Sequence, residues 1–113
     1  MLEEELDSVV ALELDGQRAT VVLRGEVDLA VEQPIVEAIR RTARLEALAA
    51  ICVDATAVTF IDSSGLRALI LGREAALSRG LEFSVRITAD GQPARVFALA
   101  GLVEALGVTH LAA

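Results

Sequence analysis

The sequence predicts a single small α/β domain with a mixed β-sheet, and three observations support that prediction. The length of 113 residues matches one domain and leaves little room for two. An Asp-Gly turn signal separates two β-branched segments near the start, which indicates a β-hairpin. After the hairpin, helical and strand spacing of apolar residues alternate, a pattern typical of parallel strands joined by helices. We therefore expect one domain over residues 1–113, with an N-terminal hairpin, parallel strands and packing helices.

The hairpin is predicted from residues 9–14 and 19–24, which flank Asp15-Gly16-Gln17-Arg18. Asp-Gly is expected to form the turn because Gly adopts the positive φ that tight hairpin turns require. The acidic first seven residues and the last two or three are expected to lie outside the regular structure.

Three helices are predicted from apolar residues at helical spacing. The first follows Asp28, with Ile35 and Ile39 on its apolar face and Pro34 in its first turn. The second follows Asp62-Ser63-Ser64-Gly65 and ends at Gly80, a residue suited to the position after a helix. The third covers residues 93–100, and residues 101–107 are expected to add a helical turn.

Two further strands are predicted between the helices. Residues 49–53 are apolar on both faces and end at Asp54, as a central strand of a covered sheet would. Residues 81–87 alternate apolar and polar, which favours a strand toward the edge of the sheet with one face in water. The predicted order is therefore β-β-α-β-α-β-α.

Composition excludes several classes of function. The net charge is −7, and Lys, Trp and Tyr are absent. A P-loop or a Schiff base lacks its lysine, and one Cys with one His cannot supply a zinc site. An acidic chain with few aromatics also lacks the basic footprint and the stacking surfaces that nucleic acid requires. We therefore expect a protein partner, with no nucleic acid, cofactor or metal.

The sequence also predicts a cytoplasmic address. No apolar run approaches the ~18 residues of a membrane span, and the acidic start differs from the basic start of a signal peptide. We expect no direct insertion into a membrane. Cys52 lies in the most apolar strand and is interpreted as a small buried hydrophobe.

The stretch from Val53 to Gly72 contains the candidate site of modification, because it places two serine hydroxyls at the start of the second predicted helix. The first N–H groups of a helix lack partners and its dipole places partial positive charge there, so an anion is tolerated. A phosphate on Ser63 would meet these groups, and Gly65 would allow its close approach. From the residues alone, the favoured interpretation is that Asp62, Ser63 or Ser64 is an ordinary N-cap.

Four blocks in order resemble one known family over residues 9–111. The blocks are Gly25-Glu26-Val27-Asp28-Leu29, Val53-Asp54-Ala55, Phe60-Ile61-Asp62-Ser63-Ser64-Gly65-Leu66 and Phe97-Ala98-Leu99-Ala100-Gly101-Leu102. This pattern resembles STAS domains, specifically the bacterial anti-sigma factor antagonists. Val27 and Arg67 depart from the residues that are common there, and neither change affects the acceptor serine.

The resemblance implies partner switching by phosphorylation and no catalytic residue in this chain. In that family the unphosphorylated antagonist binds an anti-sigma factor that is also a serine kinase, which frees the sigma factor. The kinase then phosphorylates the first serine of Asp-Ser-Ser-Gly, here Ser63, and a phosphatase restores it. The resemblance also implies a partner-binding surface, which consists of Asp28, Asp62, Ser63, Ser64, Gly65 and Arg67. For Asp28, a role as the N-cap of the first helix remains an alternative.

Other interpretations stay open at this stage. The chain also fits a STAS subunit or regulatory domain of a membrane transporter or lipid-trafficking complex. A phosphoacceptor receiver domain would use Asp54, but the late lysine of that chemistry is missing, and a structural role as a turn cap is favoured. A Ser-His-acid hydrolase would require His110, three residues from the end of the sequence, to reach Ser63, and this interpretation is disfavoured.

Overall fold

Six strands form one mixed sheet in the computed structural model, which describes residues 2–7 and 10–111. The strands are β1 (Leu2–Asp7), β2 (Val10–Asp15), β3 (Arg18–Val27), β4 (Ala50–Ile61), β5 (Glu82–Thr88) and β6 (Val108–Leu111). The helices are α1 (Glu32–Ala43), α2 (Ser63–Ser78) and α3 (Gln92–Ala100), and a short 3-10 helix (Leu29–Val31) precedes α1. Each strand lies beside the next in the chain, antiparallel from β1 to β3 and parallel from β3 to β6. The predicted fold class is confirmed.

The hairpin is confirmed, and its turn is shifted by one residue from the predicted one. Asp15 pairs with Arg18 across the antiparallel strands, so Gly16 and Gln17 form a two-residue turn. Gly16 has a φ of 60°, which places glycine at the first central position, where this conformation is free of strain. The predicted start at Val9 lies outside the described residues.

Both edges of the sheet differ from prediction. Leu2–Asp7 forms β1, which pairs antiparallel with β2, instead of a loose end. Residues 101–107 form turns instead of a helical turn, and β6 follows them. The strand β5, predicted toward the edge of the sheet, therefore lies next to the edge strand, between β4 and β6. Short edge strands carry weak periodicity, which is why the pattern missed them.

The core lies on the sheet face that contains Val21, Val53 and Val85. These three valines are neighbours in the register of β3, β4 and β5, and all are buried. Helices α1 and α2 pack against each other, with α1 in contact with β3 and α2 in contact with β4 and β5. Burial of each such side chain contributes about 1.5–3 kcal/mol, so this shared face is the main source of stability.

The central strand β4 is longer than predicted because it contains two bulges. Its pairing with β3 gains one extra residue after Asp54 and another after Val58. The predicted end of the strand at Asp54 is therefore wrong, and Asp54 lies in mid-strand. The extension brings Ile61, the last residue of β4, beside Val27, the last residue of β3. Both strands consequently deliver the loops that follow them to the same edge.

Candidate functional site

The loop between β4 and α2 presents Ser63 to solvent at the first position of the helix. Asp62 is the N-cap: its backbone is extended, and its carboxylate accepts a hydrogen bond from the Gly65 amide at 3.1 Å. Of the three residues that the sequence left open for this role, Asp62 therefore takes it. Ser63 is exposed and Ser64 is half-buried. The Ser63 hydroxyl is thus free for chemistry instead of being used as a cap.

The start of α2 has donors available for an anion. The Gly65 amide is taken by the Asp62 side chain, and the Leu66 amide donates to the Asp62 carbonyl at 3.0 Å. The amides of Ser63 and Ser64 precede the first intrahelical bond. The dipole of this 16-residue helix adds partial positive charge at the same place. The Asp62 carboxylate lies in the same turn, and its negative charge opposes part of the positive field of the helix dipole.

Gly65 is required for packing. A Cβ at this position would lie 2.6 Å from Ile61 Cγ1, 2.7 Å from the Val27 carbonyl oxygen and 2.8 Å from Val27 Cγ1. Glycine therefore lets the first turn of α2 approach the ends of β3 and β4. The sequence analysis explained Gly65 by the space that a phosphate needs. In the structure, the contacts that exclude a side chain at Gly65 are with Val27 and Ile61, beneath the helix.

Asp28 lies on the same edge as the loop that carries Ser63. The Asp62 amide donates to the Val27 carbonyl at 3.3 Å, which links the residue before Asp28 to the N-cap of α2. The Asp28 carboxylate accepts from the Ala30 amide at 3.0 Å and caps the short 3-10 helix. Asp28 is therefore a helix cap, as the alternative interpretation expected, but it caps the short 3-10 helix before α1 and not α1 itself. Leu29, directly after it, is 68% exposed.

Arg67 forms an ion pair that sequence reasoning missed. Its Nε donates to Glu32 Oε1 at 2.8 Å, and its Nη2 donates to Glu32 Oε2 at 3.0 Å. Glu32 is the first residue of α1, and its side chain is only 6% exposed, against 63% for Arg67. Hydrogen bonds and charge from Glu32 raise the pKa of the Arg67 guanidinium above its usual value. No local signal reveals this pair, because 35 residues separate its members.

Gln92 fixes the end of β4 from the other side. Its side-chain amide nitrogen donates to the Ile61 carbonyl and its amide oxygen accepts from the Ile61 N–H, each at 2.8 Å. This pairing resembles one rung of a β-ladder and joins the first residue of α3 to the residue before Asp62. Gln92 was also missed, since nothing in its own segment indicates a partner 31 residues earlier.

The other residues considered in the sequence are placed away from Ser63. Asp54 accepts hydrogen bonds from the amide and hydroxyl of Thr56, at 3.0 and 2.7 Å, and pairs with Arg86 at 3.2 Å. Burial acts to raise the pKa of Asp54, but these hydrogen bonds and the Arg86 charge outweigh it and hold the pKa below the usual 3.8. Cys52 is buried, as predicted. His110 lies in β6, two strands from the one that ends beside Ser63.

Two surface depressions lie outside the Asp62–Gly65 loop. One, of about 330 Å³, lies between the C-terminal halves of α1 and α2, and the other, of about 360 Å³, lies beside the starts of β3, β4 and β5. Neither is lined by Asp28, Ser63 or Arg67.

The family is decided by comparison with known sequence families. Residues 10–109 match the family model described as "Mlab, STAS domain". The chain belongs to the STAS domain family. This finding confirms the resemblance seen in the four sequence blocks. The comparison with curated protein sequences gave no significant match.

Solved structures share the fold of this STAS domain. An anti-sigma factor antagonist from Mycobacterium paratuberculosis aligns with a TM-score of 0.78 and 24% identity, covering 93% of this chain and 88% of that one. The unphosphorylated anti-sigma factor antagonist SpoIIAA aligns with a TM-score of 0.59 and 20% identity, covering 80% and 82%. The murine anion transporter Slc26a9 aligns with a TM-score of 0.70 and 15% identity, covering 87% of this chain and 17% of that one. At these identities the likeness establishes a common fold.

Within the described ranges 2–7 and 10–111, no helix of the STAS domain is long and apolar enough to span a membrane.

Proposed function

We propose that this STAS domain is an anti-sigma factor antagonist whose binding is switched off by phosphorylation of Ser63. The observation that carries the proposal is the exposed Ser63 hydroxyl at the first position of α2, left free because Asp62 caps the helix. The unphosphorylated chain binds an anti-sigma factor with serine kinase activity and so frees the sigma factor. A phosphatase then removes the phosphate. In this proposal the chain is a substrate of enzymes and has no catalytic residue of its own, and it acts in the bacterial cytoplasm.

The partner surface of the proposal consists of the loop and its neighbours. In this proposal it comprises Ser63, Asp28 on the loop after β3, and Asp62, Ser64, Gly65 and Arg67 at the start of α2. Their backbones are fixed by the bond between the Asp62 amide and the Val27 carbonyl, and by the pairing of Gln92 with Ile61. A preformed surface loses little entropy on docking, which favours a partner that binds it as it stands.

Electrostatics gives the reason for release. A phosphate adds about −1.5 to −2 charge next to the Asp62 carboxylate. In the free chain, the start of α2 offsets part of this charge, by about 1 kcal/mol at an exposed site. Beneath a bound partner the same dianion loses its water and faces Asp28 and Asp62. A net penalty of about 3 to 4 kcal/mol weakens binding by two to three decades, enough to release the partner.

The proposed acceptor is tested by mapping the phosphorylated residue. The chain, Ser63→Ala and the matched control Ser64→Ala are each incubated with ATP and a cognate anti-sigma factor kinase, and modified peptides are sequenced by mass spectrometry. We expect full phosphorylation of the native chain and of Ser64→Ala, and none of Ser63→Ala. Full phosphorylation of Ser63→Ala would refute the assignment.

A second candidate function is a subunit or regulatory domain of a membrane transporter or lipid-trafficking complex. Two structures of similar fold support this candidate. They are Slc26a9 and a sulfate transporter family protein from Wolinella succinogenes, the latter with a TM-score of 0.67. The intact Asp62-Ser63-Ser64-Gly65 segment favours the first proposal. An affinity purification that recovered a transporter subunit or its ATPase, and no serine kinase, would reverse this order.

A further inference from the structure

Arg67 joins the starts of two helices at the edge of the sheet where Ser63 lies. Its Nε and one Nη2 proton are used by the buried Glu32 carboxylate, the first residue of α1. A guanidinium carries five N–H donors, so three remain, and the side chain is 63% exposed. Glu32 thus holds one side of the guanidinium fork while the other side faces solvent.

Arg67 and Ser63 also share one face of α2. Residues four apart in a helix are neighbours on its surface, and side chains lean toward the helix N-terminus. Arg67 therefore lies on the same face of α2 as Ser63, about one turn further along the helix. Its contact with Glu32, at the start of the neighbouring helix, keeps the guanidinium at that end of α2.

We propose that a phosphate on Ser63 is bound by Arg67 of the same chain, and that the buried Glu32 is the positioning residue that presents Arg67 to it. This inference rests on the proposed phosphorylation of Ser63 and adds the group that receives the phosphate. Arginine binds phosphate oxygens through paired N–H groups, and a partner already fixed in orientation loses less entropy on binding. Arg67 is then occupied in the phosphorylated chain and no longer available to the anti-sigma factor.

The experiment uses the full chain with phosphoserine incorporated at position 63 during synthesis, so that neither a kinase nor a partner is needed. The second pKa of the phosphate, about 6 in a free phosphoserine, is followed by 31P NMR as the pH is varied. A cation bound to the dianion lowers this value. We expect Arg67→Gln to raise it by about half a pKa unit or more relative to the native chain.

Arg73→Gln is the matched control. Arg73 lies in the same helix, ten residues after Ser63, and forms no salt bridge within residues 10–111. We expect its substitution to shift the phosphate pKa by less than a third as much as Arg67→Gln does. Arg67→Lys keeps the charge without the planar fork and should give an intermediate value. Asp28 and Asp62 are present in every variant, so their charges cancel in the comparison.

The role of Glu32 has a signature that simple charge removal cannot produce. Deleting a negative charge lowers the phosphate pKa, so Glu32→Gln in the Arg67→Gln background should lower it slightly. In the chain that retains Arg67, Glu32→Gln also removes the contact that positions the Arg67 guanidinium, and this weakens its binding to the phosphate. The weaker binding raises the phosphate pKa, so the substitution should raise that pKa or leave it unchanged. Equal shifts in the two backgrounds would overturn the role of Glu32.

A phosphate pKa in Arg67→Gln equal to that of the native chain, in a protein that retains its amide NMR spectrum, would overturn the whole inference. Such a result would leave the phosphorylation of Ser63 by a kinase untouched. Conversely, failure of the kinase to modify Ser63 would not alter these titrations.

Discussion

Residues around Ser63 divide into those that hold the backbone and those that face solvent. Asp62 uses its carboxylate to cap α2, and Gly65 removes a side chain that would collide with Val27 and Ile61. Ser63 makes neither contact, and it is exposed. A residue that the fold does not need is free to be modified, which is the property that a reversible switch requires.

Gly65 gives the clearest stability prediction at this scale. In Gly65→Ala the new methyl group meets the Val27 carbonyl, part of a paired strand that cannot move aside. We expect a loss of about 2 to 3 kcal/mol in the free energy of unfolding, measured by urea denaturation.

The matched control is Gly72→Ala, in the middle of the same helix. Its methyl group meets Ile39 Cδ1, the end of a flexible side chain that can change rotamer, so we expect a smaller loss. Equal losses in the two variants, or a loss below about 0.5 kcal/mol in Gly65→Ala, would contradict the packing role of Gly65.

At the scale of elements, β4 is held in an irregular form by polar contacts. Asp54 bonds both donors of Thr56 within the first bulge and reaches Arg86 on β5. Gln92 holds the last residue of the strand. The bulges add residues to β4 relative to β3, and these contacts fix where the strand delivers Ser63.

Stability should depend on pH through Asp54. Because its pKa is lowered in the folded chain, its carboxylate stabilises the fold above the unfolded-state pKa near 3.8, and the contribution is lost as the pH falls through the lower folded value. We expect Asp54→Asn to cost about 1 kcal/mol at pH 7 and progressively less below pH 4, measured by urea denaturation across pH. Asp15→Asn, at the exposed end of β2 next to the hairpin turn, is the control. A cost for Asp54→Asn that stays constant down to pH 2.5 would contradict this role.

Elements whose signal is local were predictable, and contacts between distant segments were not. The hairpin, the three helices and the candidate cap residues of α2 follow from spacing within about ten residues. Glu32 with Arg67 and Gln92 with Ile61 depend on which chain ends meet at the sheet edge, and no spacing encodes that. Asp54 misled because a charged residue normally ends an apolar strand, whereas here a bulge and Arg86 on the next strand accommodate it.

At the scale of the molecule, charge is distributed unevenly along α1 and α2. The loops at the starts of these helices carry Asp28 and Asp62, while Arg40, Arg44 and Arg79 line the groove between their C-terminal halves. Basic groups near helix C-termini complement the helix dipole. The surface around Ser63 carries the carboxylates of Asp28 and Asp62 and the exposed guanidinium of Arg67, and a phosphate there adds to the negative charge of a chain whose net charge is −7.

The central claim is tested most directly by the affinity of the anti-sigma factor kinase for this chain with and without phosphate on Ser63. Isothermal titration calorimetry compares the native chain, the chain with phosphoserine at position 63, and a control with phosphoserine at position 78, at the other end of α2. The account predicts that phosphate at Ser63 weakens binding by about two to three decades, while phosphate at Ser78 changes it less than threefold. Equal affinity of the native chain and the chain phosphorylated at Ser63 would contradict the account.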